Sequence, residues 1–293
     1  MQAVVTDPQS PGRLNTRDAA TPAATAGHAI VRVHASSINR GELRLIATRA
    51  NGWAPGQDVT GVIESAAPDG GPRVGTRIVG LAEGGAWSEF VAVPVERIAP
   101  VPDNVDFVQG ACLPVAGLTA LRALRALRDV TGRELLVTGA NGGVGNVAVQ
   151  LARDAGAFVT ALARRPLAVD GIRVIQALND ETRFDRVIDG VGGTVLGDAV
   201  GHLRPHAKVV TFAGAEPAAI GLGTVKGSPA TIEILFVYGA PGRFDEDLAT
   251  LARFVSAGHL KPQVHRVFPI DQINDALALQ EAGGVNGKIV LTR

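Results

Sequence analysis

Residues Leu135 to Gly145 read LLVTGANGGVG. An apolar strand runs into a glycine-rich turn, and the periodic stretch VAVQLARDA from Val147 to Ala155 follows it as a helix. A strand that breaks this way into a helix is the setting of a dinucleotide-binding loop. Gly142 lets the backbone turn sharply and bring its amides against a pyrophosphate. Gly145 lets the helix pack closely on the strand, and the helix N-terminus faces the anion. Ala140 stands at the first glycine of the G-x-G-x-x-G pattern. The pattern by itself also suits an ordinary strand-to-helix turn, but the flanking strand and helix favour the cofactor loop. Gly139, Ala140, Asn141, Gly142, Gly143, Val144 and Gly145 are the candidate contacts.

The next strand indicates which dinucleotide. It reads AFVTALARR, and a fold that binds NAD places an Asp or Glu near its end, about 20 residues past the fingerprint, to hold the adenosine ribose hydroxyls. Ala163 stands there, followed by Arg164 and Arg165. Nothing repels a 2′-phosphate, and two guanidinium groups can grip it bidentately. The reading is NADPH. A solvated basic turn is the alternative for the two arginines.

Composition narrows the class. A chain of 293 residues with 46% hydrophobic residues can bury a sizeable core in one large domain or two. Its 28 basic and 28 acidic residues cancel, so there is no net field to draw nucleic acid or an anionic membrane; a small-molecule partner is expected instead. A single cysteine, Cys112, excludes an intrachain disulfide framework and a thiolate zinc site and suits the cytoplasm. The start MQAVVTDPQS lacks the basic and apolar regions of a secretion signal, and no apolar run is long enough to span a bilayer.

The texture of the chain divides it into parts. From residue 1 to 106, short apolar strands (AIVRVHAS, VTGVIES, TRIVGLAE, WSEFVAVP) alternate with Gly/Pro-rich turns, predicting an antiparallel β-barrel in which only Glu42 to Arg49 looks helical. From 107 to 260, strands alternate with helices, the rhythm of a doubly wound parallel sheet of α/β class. Residues 261–293, including HRVFPI, DQINDALALQEAG and GKIVLTR, mix the two and return to the first domain. The segments TRDAATPAATAGH and AAPDGGP read as surface connections.

SSINRGE, PGQDVTGVIE, GTRIVGL, GAWSEFVAVP, LPVAGLTAL, the glycine-rich stretch, DGVGG and the GKIVL near residue 290 together resemble the medium-chain dehydrogenase/reductase superfamily, in its zinc-independent quinone oxidoreductase and enoyl reductase branch. The resemblance covers nearly the whole chain. It implies a GroES-like β-barrel catalytic domain, a Rossmann domain and a homodimer. Zinc-dependent alcohol dehydrogenases of the superfamily carry a cysteine at about Ser36 or Ser37 and a His-Glu pair at Gln57 and Asp58; both are absent here. So is the four-cysteine zinc lobe, and His28, His34, His202, His206, His259 and His265 show no close ligand spacing. Without a Lewis acid, an isolated ketone is hard to reduce. A quinone or α,β-unsaturated carbonyl is easier, because charge from added hydride spreads to an oxygen that ordinary donors stabilise.

The donors have to come from other residues than the family's tyrosines. Quinone oxidoreductases of the resemblance carry tyrosines a few residues after the Asn of SxNxxD, whereas here Arg44 and apolar residues follow Asn39. By resemblance Asn39 holds the nicotinamide ribose or amide; as a turn residue it would also make sense. Tyr238, the only tyrosine, follows IEILFV and either donates to substrate or caps that strand. Arg44 faces a cleft or solvent. Thr119 matches a position close to the cofactor, and Phe212, Ala213 and Gly214 end a strand where backbone meets the nicotinamide. Asp189 reads as structural; Arg122, Arg125 and Arg128 read as a solvated helix face; Trp53 and Trp87 line a pocket or close a core. Between LARR and FDRVIDG only residues 166–183 intervene, so a helix of that passage is trimmed or lost. The expectation is NADPH-dependent, metal-free hydride transfer to a quinone or conjugated carbonyl. The alternatives are a pathway-specific enoyl reductase and a non-catalytic NADPH-binding sensor.

Overall fold

The computed structural model describes residues 1–213, 218, 220, 229–238 and 243–293. Its contacts divide the chain into two compact units, Met1–Leu118 with Gly242–Arg293, and Thr119–Pro241. The first unit opens with strands β1 (Gln2–Thr6), β2 (Leu14–Asp18) and β3 (His28–Ile38), helix α1 (Arg40–Thr48), and strands β4 (Asp58–Ser65), β5 (Arg77–Leu81), β6 (Phe90–Pro94) and β7 (Ile98–Pro100). Helix α2 (Phe107–Ala111) and a π-helical turn, Leu113–Gly117, close this part. The chain then builds the second unit from α3 (Leu118–Leu127), β8 (Glu134–Thr138), α4 (Gly143–Asp154), β9 (Phe158–Leu162), β10 (Arg173–Ile175), β11 (Phe184–Asp189), α5 (Gly193–Gly201), β12 (Leu203–Thr211) and β13 (Thr231–Ile234). It returns to the first through α6 (Phe244–Ser256), β14 (Val264–Pro269), α7 (Ile273–Ala282) and β15 (Lys288–Thr292).

In the first unit, β1 and β2 form a hairpin, and a seven-stranded sheet runs β14-β15-β3-β4-β5-β7 with β6 also on β3. Every pairing in it is antiparallel except β14 with β15. The strand β3, HAIVRVHASSI, is buried on both faces, and two clusters explain why. Val31, Val59, Ile63, Ile78 and Val93 form one. Ile38, Trp87, Phe268, Ile273, Leu277 and Leu291 form the other. Each fully buried aliphatic side chain of this kind contributes roughly 1.5–3 kcal/mol.

The second unit holds a six-stranded sheet, β10-β9-β8-β11-β12-β13, all parallel. Its strand order reverses between β8 and β11, the switch point where such sheets bind ligands beyond the strands' carboxyl ends. Leu135–Val137 and Val187–Ile188 are wholly buried, as central parallel strands require. Helix α5 covers one face with Leu196, Ala199 and Val200 on Leu136, Val187 and Val209. No helix joins β9 to β10; residues 163–172 cross over as irregular chain.

The units part at Leu118 and Gly242, where strand and helix alternation put boundaries at 106 and 260. Alternation identifies element types but not the sheet that a helix packs against. Thr60 Oγ1 donates to Phe107 O (2.7 Å) and Val115 N to Asp58 Oδ1 (2.8 Å), which holds α2 and the π-helical turn to β4. Helix α6 packs on β5 and β7. Among the described residues no helix is long and apolar enough to cross a membrane.

Candidate functional site

The glycine-rich loop joins β8 to α4 in the second unit. Gly139 has φ +64°, a left-handed conformation that side chains rarely adopt. A Cβ on Gly145 would lie 2.3 Å from Gly139 O and 2.7 Å from Ala140 Cα, so the helix starts against the turn only because that atom is missing. Gly142 caps α4 with no side-chain hydrogen bond, and the first intrahelical bond is Asn146 N to Gly142 O at 2.9 Å. The amides of the first turn are thus claimed by no capping side chain, and the helix dipole adds partial positive charge there. This cradle fits the pyrophosphate of a dinucleotide.

Asp189 knits the same edge of the sheet. Fully buried at the end of β11, it accepts from Thr138 Oγ1 of β8 (2.6 Å), Thr211 Oγ1 of β12 (2.7 Å) and Gly192 N (3.1 Å). Its oxygens are spent on three strand ends and a turn, the structural role expected of it. Phe212 and Ala213, half-buried, follow β12; a Cβ on Gly190 would meet the Phe212 ring at 2.9 Å. Gly214 lies outside the described residues.

Just after β9 Ala163 is buried, Arg164 is exposed and Arg165 is half-buried. Arg164 makes no hydrogen bond or ion pair among the described residues. Asn141 turns its amide to this turn: Arg165 N donates to Asn141 Oδ1 (3.1 Å) and Asn141 Nδ2 to Arg165 O (3.2 Å).

Helix α3 corrects one expectation. Arg122 is not on a solvated face: it is 3% exposed and donates from Nη1 to Val237 O at 2.8 Å, because the segment before Tyr238 packs over it. Arg125 and Arg128 are exposed, Thr119 is buried, and Tyr238 is 44% exposed.

The first unit places its own candidates in a buried polar network. Asn39 caps α1, and Glu42 reaches back so that Oε2 accepts Asn39 N (2.7 Å) while Oε1 accepts Gln57 N (2.9 Å). This cap starts the helix at Arg40, two residues earlier than expected. Asp58 Oδ2 accepts Ser37 Oγ, Asn39 Nδ2 (2.8 Å) and Lys288 Nζ (3.2 Å). Lys288 also donates to Asn39 Oδ1 (2.5 Å) and Ile38 O (2.9 Å), so its ammonium sits among three oxygens. Ser36 Oγ donates to Asp58 O (2.5 Å). Asn39 Nδ2 has a second N–H beyond its bond to Asp58. Arg44 is exposed on α1 and Trp53 is half-buried, whereas Trp87 lies in the core. Among the described residues no three His, Cys, Asp or Glu side chains group as metal ligands.

Sequence reasoning missed Glu42 and Lys288, and saw Asp58 only as a lost ligand position. The available signal was a charged residue inside an apolar strand pattern: Asp58 before VTGVI and Lys288 before IVL.

Burial and the Asp58 charge push the Glu42 carboxyl up to about 8, against its two backbone donors and Lys288. The folded state then holds this proton more tightly than the unfolded one. The contribution to stability is complete below the ordinary value of 4.5 and is lost as pH rises through about 8. The urea midpoint should fall across that window. Glu42→Gln, which leaves one oxygen for two N–H donors, should start less stable and fall less steeply. Equal slopes in both proteins would remove Glu42 as the group that titrates.

Residues 25–103 match the alcohol dehydrogenase GroES-like domain model, and 168–291 the zinc-binding dehydrogenase model. The chain is 33% identical, over 94% of its length, to the spectinabilin polyketide synthase system protein NorB of Streptomyces orinoci. It is 27% identical, over 81% of its length, to a 2-methylene-furan-3-one reductase of Solanum lycopersicum. It spans 13% and 63% of those two relatives. The quinone oxidoreductase from Coxiella burnetii superposes with a TM-score of 0.85 over 100% of this chain and 99% of that one, at 25% identity. With both family models matched in chain order on this two-sheet architecture, the chain belongs to the medium-chain dehydrogenase/reductase superfamily and is quinone oxidoreductase-like within it.

Proposed function

We propose that this chain is an NADPH-dependent oxidoreductase that reduces a quinone or an α,β-unsaturated carbonyl without a metal. The observation that carries the reading is the glycine cradle beside a strand end that offers Ala163, Arg164 and Arg165 in place of an acid. The loop Gly139–Gly145 and the first turn of α4 hold the pyrophosphate, and Arg164 and Arg165 take the 2′-phosphate. Asn39, Thr119 and the backbone of Phe212 and Ala213 serve the nicotinamide half. When bound, NADPH supplies the hydride. Tyr238 and Arg44 are the side chains we assign to stabilising negative charge on the acceptor oxygen.

The metal-free reading is supported by the first unit, where Lys288 already supplies the cation among the oxygens of Asp58 and Asn39. The conjugated acceptor is supported by the similarity to a 2-methylene-furan-3-one reductase and to a quinone oxidoreductase. Similarity to a polyketide synthase system protein favours a second reading, an enoyl reductase dedicated to one pathway. We also propose a cytoplasmic homodimer; Ile232, Ile234 and Phe236, exposed on and just after the edge strand β13, support it.

NADPH oxidation across a panel of quinones, enones and enoyl thioesters tests these readings. Turnover of quinones and simple enones is expected, with no stoichiometric zinc in the protein and no loss of rate in a chelator. Turnover of enoyl thioesters alone would select the dedicated reductase. Binding of NADPH with no turnover on any acceptor would leave a sensor or binding protein. Zinc lost together with activity would overturn the metal-free reading.

A further inference from the structure

We propose that Asn141 sets the coenzyme preference of this protein, as a positioning residue that holds the arginine-bearing turn where a 2′-phosphate can be gripped. The inference rests on the NADPH reading above and goes beyond it, because Asn141 itself contributes no charge to the phosphate.

The geometry is that of a splint. Asn141 lies within the glycine cradle, between Ala140 and Gly142, yet its amide pairs with both polar groups of one backbone residue: Arg165 N to Oδ1 at 3.1 Å, and Nδ2 to Arg165 O at 3.2 Å. A planar amide presents an acceptor and a donor side by side, as another strand would. Residues 163–172 connect two parallel strands without the helix that usually braces such a crossover. Ala163 N donates to Ile175 O (2.9 Å) at one end, and Arg153 Nη1 donates to Asp170 O (3.1 Å) at the other. Arg164 and Arg165 stand between those tethers, and the Asn141 amide ties their backbone to the loop that receives the pyrophosphate. The Asn141 side chain thus registers the two halves of one dinucleotide site. Such bonds matter because a guanidinium that must be ordered at the moment of binding loses part of the gain from its charge-assisted bonds.

The test is calorimetric titration of NADPH and NADH into the unmodified protein, Asn141→Ala, Arg164→Ala/Arg165→Ala and the triple variant. Asn141→Ala should weaken NADPH on the order of 10-fold, as expected for two lost hydrogen bonds, and change NADH less than about 2-fold. In the background lacking both arginines, Asn141→Ala should have no further effect on NADPH, since a positioning residue has nothing left to position. Asn141→Gln, which keeps the amide on a longer stem, should recover part of the preference and serves if the Ala variant folds poorly. If the unmodified protein prefers NADPH and Asn141→Ala keeps the full ratio, or weakens both dinucleotides equally, the proposal is overturned while the arginine reading stands. Equal binding of both dinucleotides by the unmodified protein would overturn the two together.

Discussion

Lys288→Met is expected to lower the stability of the protein by about 3–5 kcal/mol, the loss found when one partner of a buried ion pair is removed. Lys288 is 5% exposed and Asp58 0%, and the remaining partners of Asp58, namely Ser37, Asn39 and the Val115 amide, are neutral. Methionine fills a similar volume and takes away only the ammonium. It leaves a carboxylate out of water without a countercharge, and strips Asn39 Oδ1 and Ile38 O of a donor. The pair itself need not be a net source of stability, because desolvating both charges offsets their attraction. Asp58→Asn combined with Lys288→Met should therefore regain most of the loss. Urea unfolding of the three proteins decides it. A single variant that loses less than about 1 kcal/mol would mean that water or another cation reaches Asp58 in solution.

Removing both guanidinium groups, as Arg164→Ala/Arg165→Ala, should weaken NADPH binding by one to a few kcal/mol, about 10- to 100-fold, and leave NADH nearly unchanged. Arg164 is exposed, so part of this effect is screened and should shrink as salt is raised. Fluorescence titration of both dinucleotides at low and high salt measures it. Equal losses for both would move the arginines from the 2′-phosphate to the pyrophosphate or to the fold.

The contrast between these sites shows what a single sequence can carry. The cradle was legible because its requirements are local: Gly139, Gly142 and Gly145 lie within a few residues of the strand and helix they join, and Gly139 and Gly145 answer to steric limits that only glycine meets. The end of β9 just before Ala163, Arg164 and Arg165 was legible for the same reason. The network of the first unit was not. Asp58 meets Asn39 across 19 residues, Val115 across 57 and Lys288 across 230, and no periodicity links such positions. Arg122 failed in the same way: its spacing with Arg125 and Arg128 marks one helix surface, but what covers that surface comes from 115 residues away. Domain limits suffered too, since α6 reads like any helix after a strand and only its packing on β5 and β7 assigns it to the first unit.

The place of β15 bears on how the chain reaches this state. That strand lies between β14 and β3, with Ile289 opposite Ile38 and Leu291 opposite Ser36, and the whole of the second unit is threaded between the partners. Closing a contact across 250 residues carries a large loop entropy, and pairings of this kind slow folding. The neighbours β8, β9 and β10 are separated by tens of residues at most, so the parallel sheet can form while β3 still waits for its partner. During synthesis the Ala35–Ile38 part of β3 has an open side until residue 288 is made, while β6 covers the His28–Arg32 part. A chain interrupted before that point would expose the row of N–H and C=O groups that β15 normally covers, a ready template for another strand. Translation past residue 288 is what converts an aggregation-prone edge into the centre of a sheet.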